Sequence, residues 1–410
     1  MSFYKSIQNI PERVNSYLII ALIFFIPFST AAGSILSAII LLFWLIHGKF
    51  KEQYRHLKGN KVVIISLMIV VMHVIGLLWT SDLDWGLHTL KKQWKFLMIP
   101  VFMLYIKKEH MTYYFYAFVL AMSLSELVSY GIWFELIDPF KSATVYNPTP
   151  FLTHIVYNPF LAIAIYLIAS ELLFYKHRFN YKQWLYLLFL ITMTVNMFIT
   201  GGRSGQAMMF LAIIILSLQY FGIKNMIKSM SISIMVLIGI FYLAYNFSSI
   251  FYERVNLTVS NVLYYDQNKN SSVGKRITFA LNGLDVFSEN MIVGVGTGDL
   301  PSAMKEKHQL NTPEVVAPDN PHNMYIMWLV QFGVFGFLML VLLFYIQVKV
   351  ALLHNNQSMK RLGVALPLLF ILANFGESYL SIHATSILFA VFSAIIYSDN
   401  FHKDNNDYSA

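Results

Sequence analysis

Residues 15–46 contain no aspartate, glutamate, lysine or arginine. A helix of about 20 apolar residues already crosses a bilayer, and comparable runs recur along all 410 residues. In hydrocarbon, backbone N–H and C=O groups must be satisfied inside helices or a closed barrel. The alternating pattern of barrel strands is absent. The expected fold is therefore all-α: a polytopic membrane helical bundle. Composition agrees, with 57% hydrophobic residues, 12% charged and a mean hydropathy of +0.58, against about 25% charged in soluble domains.

Twelve spans are expected, at roughly 16–30, 32–47, 62–79, 94–108, 112–134, 152–174, 183–200, 205–222, 230–247, 323–347, 362–380 and 382–398. Pro27 with Ala31, Ala32 and Gly33 breaks the first pair, or the pair is one long tilted span; Pro100 interrupts the fourth. No small-residue cleavage site follows the first run, so it reads as a retained span. Most lysines and arginines fall on alternate connections, which places both termini in the cytoplasm by the positive-inside rule. The net charge of +8 reflects that loop bias, not nucleic-acid binding. The chain thus divides into a bundle of about nine spans (1–247), a large outer loop with short helices (248–322), about three further spans (323–398) and a disordered cytoplasmic tail (399–410). Within the loop, ITFALNGLDVF reads as an amphipathic helix with Ile277, Ala280, Leu281 and Leu284 on its apolar face.

Three motifs fall on the outer face of this topology. In TGGRSGQ (200–206), Arg203 stands between paired glycines and Gly205, a turn that frees backbone N–H groups for an anion. In SSVGKRITF (271–279), Lys275 and Arg276 form a basic pair before the loop helix. In PHNMYIMW, His322 precedes a helix that Asn323 is placed to cap. A neutral imidazole accepts a proton near working pH, which makes His322 a candidate general base. Two carboxylates, Glu126 and Glu377, lie inside spans, where acids are costly and point to function. Glu377 is near the outer end of its span and Glu126 is deeper. His154 opens another span near the same face, and Lys91 and Lys95 stand four apart on one expected helical face, placed either to meet an anionic headgroup or simply to snorkel. GVGTGDL (294–300) is neither a Walker loop nor a dinucleotide fingerprint. There are no cysteines, so disulfides and thiolate chemistry are excluded. No metal-ligand motif and no nucleotide motif is present, so no cofactor is expected and the substrate must bring its own energy.

These residues resemble the O-antigen ligase family and its O-antigen polymerase relatives. The likeness is sharpest over 200–337, through the arginine turn, the Gly-Lys-Arg before a loop helix and GVGTG, and Pro-His-Asn leading into a helix with Gly333 and Gly336. The resemblance implies a GT-C-type glycosyltransferase of a Gram-negative inner membrane with a periplasmic active site covered by the long loop. It implies transfer of polysaccharide from undecaprenyl diphosphate to the lipid A core, with inversion and without metal or nucleotide. The family's essential arginines and histidine map onto Arg203, Arg276 and His322. Lys275, Asn323, His154, Glu377, Lys91 and Lys95 are further substrate-binding candidates. An O-antigen polymerase, a protein O-oligosaccharyltransferase and, outside enzymes, a polyprenyl-glycan flippase are the alternatives. A flippase would carry basic residues across the full membrane depth, whereas here they gather at one face.

Overall fold

The computed structural model describes residues 2–175 and 177–398, with side chains from residue 13 onward; the expected tail at 399–410 lies outside the described residues. The described chain is helical, with α1 (Ser2–Phe25), α2 (Thr30–His47), α3 (Phe50–Leu57), α4 (Lys61–Ile75), α5 (Leu83–Lys92), α6 (Trp94–Met103), α7 (Met111–Trp133), α8 (His154–Phe174) and α9 (Tyr181–Ile199). There follow α10 (Arg203–Phe221), α11 (Met226–Phe247), α12 (Ser249–Leu263), α13 (Ser272–Glu289), α14 (Leu300–Asn311), α15 (Met324–Leu352), α16 (Gln357–Gly376) and α17 (His383–Tyr397). Nine helices among the described residues are long and apolar enough to cross a membrane. Every expected span is found as a helix, but three are short. The apolar part of the first is Arg13–Phe25, α17 has 15 residues and α6 only 10. At about 1.5 Å per residue, α6 covers half of a ~30 Å hydrocarbon core. The 15–46 stretch forms two helices with a turn between them.

Asparagine starts several of these helices. Asn60, Asn180, Asn323 and Asn356 each accept a hydrogen bond from the first-turn N–H groups of α4, α9, α15 and α16. Such caps satisfy donors that lipid cannot.

The chain makes two compact units. The first comprises Met1–Ser16, Ser37–Lys108 and Thr258–Ala410; the second comprises Tyr17–Leu36 and Glu109–Leu257. In the first, α17 is buried from Ala384 to Tyr397, as expected of a helix that is largely apolar all round. It packs on α6 and α16, and α15 packs on α4, α13 and α16. In the second, α8 is the centre, against α7, α9 and α10. There Gly205 allows the closest approach: a Cβ would lie 2.4 Å from the backbone carbon of Asn158 on α8.

Helix α15 is broken at Gly333 (φ 61°, ψ −151°), a conformation essentially restricted to glycine. The break releases carbonyls, and the 290–299 segment takes them. Val295 N–H donates to Val330 O and Gly296 N–H to Gln331 O, both at 2.9 Å, and Val334 N–H donates to Met291 O at 2.8 Å. Thr297 continues the clasp onto α4, its hydroxyl donating to His73 O at 2.7 Å. Irregular backbone next to a membrane helix persists only with such pairing. GVGTGDL therefore locks the loop onto the kinked helix.

Candidate functional site

The residues that open α15 are held in an unusual geometry. His322 has φ 53°, the left-handed region that costs a non-glycine residue about 1–2 kcal/mol. Asn320 stabilises it. Its side-chain oxygen accepts from His322 N–H at 3.0 Å and from the Ser378 hydroxyl at 2.8 Å. Asn323 then caps α15 through its oxygen, while its amide donates to Phe375 O at 3.2 Å. Both ends of that side chain contact the protein, so Asn323 ties the start of α15 to the end of α16.

With the backbone so fixed, His322 Nδ1 lies 2.7 Å from Glu377 Oε2. Glu377 is the C-cap residue of α16, and its side chain is only 3% exposed against 40% for His322. Its other oxygen accepts from Ser378 N–H at 3.0 Å. Arg276, on the first turns of α13, approaches the same Oε2 at 3.9 Å. The carboxylate is thus buried with the His322 ring and the Ser378 N–H as hydrogen-bond partners and the Arg276 cation nearby, as burial of a polar group requires. Arg276 Nε is buried and meets no acceptor among the described residues, so donor capacity remains for an anion. Lys275 lies beside it, partly exposed on α13.

Behind this cluster, the Phe279 ring stacks on His322 at 6.1 Å and meets His308 of α14 at 5.5 Å. His308 is 2% exposed. Burial holds its imidazole below the usual histidine range, partly offset by its hydrogen bond to Met304 O. Lys269 pairs with Glu314 at 2.9 Å and ties the two ends of this loop region together. The Glu314 carboxyl sits below its ordinary range through its own backbone hydrogen bond and that from Lys269.

The face that α13 buries differs from the expected one. Thr278, Phe279, Asn282, Gly283 and Val286 are buried, whereas Leu281 and Leu284 are exposed at 49% and 43%. Near a bilayer an apolar side chain does not have to face the protein interior, so the most hydrophobic stripe is a poor guide to the packed one.

Arg203 belongs to the second unit, at the first turn of α10. Its paired glycines do not leave both N–H groups free, as Gly201 N–H donates to Asn147 Oδ1 at 3.0 Å. Asn147 also contacts His154 Nδ1 at 3.2 Å, and so joins His154 to the glycine turn that precedes Arg203. A Cβ on Gly201 would lie 2.8 Å from Arg254 Nη2, so a second arginine packs on the same turn. Neither Asn147 nor Arg254 carries a local sequence signal, since both are brought in from more than 50 residues away. Lys91 and Lys95 do not share one helix as expected, because Gln93 separates α5 from α6. Lys91 is exposed, and Lys95 is 4% exposed with its ammonium 5.6 Å from the Trp94 ring centre. Glu126 is fully buried on α7, and neither carboxylate oxygen is within hydrogen-bond geometry of a partner among the described residues.

Fold and cluster define a polytopic helical membrane protein with a buried carboxylate–histidine pair and an adjacent arginine. Residues 188–341 match the model of the family described as O-antigen ligase. The resemblance seen in the motifs therefore holds over a stretch that contains Arg203, Arg276 and His322, while Glu377 lies beyond it. No curated protein matches the chain.

Proposed function

We propose that the protein is an O-antigen ligase, transferring polysaccharide from undecaprenyl diphosphate to a sugar hydroxyl of the lipid A core. The observation that carries this reading is the 2.7 Å contact between His322 Nδ1 and the buried Glu377 carboxylate. It occupies one ring nitrogen and leaves Nε2 to work as base. The acceptor oxygen attacks the anomeric carbon from the face opposite the diphosphate, the carbon–oxygen bond to phosphate breaks, and configuration inverts. The hydroxyl proton passes to Nε2, and Glu377 stabilises the imidazolium that results. Arg276 offers its planar fork to the charge that grows on the departing diphosphate. Donors placed in this way are worth about 3–4 kcal/mol each, and general-base help about 10²–10⁴-fold. Arg203 enters on its motif and on its place at a helix N-terminus, which favours anionic groups. We place the chain in a Gram-negative inner membrane with cytoplasmic termini and a periplasmic site covered by residues 248–322, on the lysine and arginine bias.

Glycolipid profiles of a deletion strain, complemented with wild type or H322A, test the proposal. Uncapped core with long polymer retained on the carrier is expected in the deletion strain and with H322A. Core capped by a single repeat unit would instead make the protein a polymerase acting on the same donor. An unchanged lipopolysaccharide profile would refute this acceptor, and full ligation by correctly inserted H322A would refute the base.

A further inference from the structure

The first unit also contains a groove of about 630 Å³ between α2, α3, α4 and α6, with no residue of the His322 cluster among its walls. One wall is the apolar stripe of α3. Phe50, Gln53, Tyr54 and Leu57 all line the groove, at the i, i+3, i+4, i+7 spacing of a single helical face. Leu41, Leu67, Leu97 and Val101 are among the apolar residues of the other walls. Trp44 donates its indole N–H to Gln53 Oε1 at 2.8 Å, which fixes α3 against α2. The one charged group in the lining is Lys58.

One flank of α3, through Lys51, Arg55 and Lys58 at i, i+4 and i+7, and both of its ends are basic. Lys49, Lys51, Arg55, Lys58 and Lys61 fall within thirteen residues that hold only Glu52 as an acid. None of the five is paired with a described carboxylate. Lys51, Arg55, Lys58 and Lys61 are exposed. A long apolar trough ending at unpaired cations matches the two parts of an anionic lipid: a chain that needs hydrocarbon walls and a phosphate that needs lysine or arginine.

We propose that this groove binds one anionic glycerophospholipid, with an acyl chain between α3, α4 and α6 and its phosphate against Lys58 and the basic flank of α3. The site is separate from the proposed chemistry and stands or falls independently of it.

Native mass spectrometry of the purified full chain, titrated with dioleoylphosphatidylglycerol or dioleoylphosphatidylcholine, tests it. One phosphatidylglycerol should be retained, at least tenfold more tightly than phosphatidylcholine. Removing a lysine or arginine beside an anionic headgroup should weaken binding about fivefold, so K51Q/R55Q/K58Q should lose at least tenfold for phosphatidylglycerol and far less for phosphatidylcholine, whose choline cation offsets its phosphate. L67W, which fills the trough and keeps every charge, should abolish retention. If the triple variant does not fold, salt serves instead: raising ionic strength from about 0.05 to about 0.5 M should weaken phosphatidylglycerol binding to the wild type selectively. Equal affinity for the two lipids, retention undiminished by L67W, or no salt effect would overturn the proposal. So would equimolar displacement by undecaprenyl phosphate, which would assign the groove to a polyprenyl chain.

Discussion

Replacing Glu377 by glutamine separates the charge of the carboxylate from its shape. Glutamine keeps an oxygen able to accept from His322 Nδ1, across the contact that is 2.7 Å in the wild type. What is lost is the negative charge that, in the proposed transfer, stabilises the imidazolium formed when Nε2 takes the acceptor's proton. Opposite charges about 4 Å apart interact by about 4 kcal/mol at an effective dielectric of 20. The His322 side chain is 40% exposed, and solvent screening roughly halves that figure, to about 2 kcal/mol. Since 1.36 kcal/mol is tenfold, kcat should fall about 30-fold, with the donor KM nearly unchanged because no donor contact is removed. The assay is transfer from a polyprenyl diphosphate glycan to purified acceptor lipid, with both substrates varied. The decisive comparison is a double-mutant cycle. If Glu377 acts through His322, E377Q adds nothing in an H322A background. Equal, additive losses in the two backgrounds would refute the reasoning, as would E377Q at wild-type kcat.

Further predictions test the frame around the cluster. Arg276→Lys keeps the charge but loses the bidentate fork, so activity should fall 10-fold or more, by about 1.4 kcal/mol or more of transition-state stabilisation, measured in the same transfer assay at saturating donor. Gly333→Ala places a methyl group 2.4 Å from Ile292 in a glycine-only conformation. It should cost about 3 kcal/mol or more, seen as a lower Tm in detergent and as new proteolytic cleavage within 290–299. Gly205→Ala should destabilise the second unit by about 1–3 kcal/mol through overpacking against Asn158, seen in the same melt. His308 gives a pH dependence of defined sign. Its folded-state pKa is lowered, so the unfolded chain takes up a proton first, near pH 6.5. Stability is fully present above that pH and is lost as pH falls from there through the lowered folded value. Thermal melts between pH 7.5 and 5 should show that slope, and His308→Phe should flatten it.

The span pattern was legible because hydrocarbon leaves a backbone few choices. Which face each helix packs was not. In α13 the leucines that mark the apolar stripe point outward, and the packed face contains Thr278, Asn282 and Gly283. The break between Lys91 and Lys95 falls at Gln93, a residue with no turn preference that would have announced it. The first pair of spans, by contrast, separates just after Pro27, where the turn chemistry was visible.

The candidate site shows the same division between cost and partnership. A carboxylate at the end of an apolar stretch is expensive enough to attract notice alone, and so Glu377 stood out with no known partner. Its pairing with His322 spans 55 residues and depends on details that local spacing does not encode. Asn320, held before Pro321, must turn its side chain back to take the His322 N–H. His322 must then enter the left-handed region so that Asn323 can cap α15 while the imidazole turns to the end of α16. Each of these residues is unremarkable in isolation. Together they spend about 1–2 kcal/mol of backbone strain to orient one imidazole, and strain of that kind persists only where the surrounding contacts over-determine it. That is the physical reason to propose His322 as the base: its Nδ1 meets a buried carboxylate, which can stabilise an imidazolium, whereas His154 Nδ1 meets an asparagine amide.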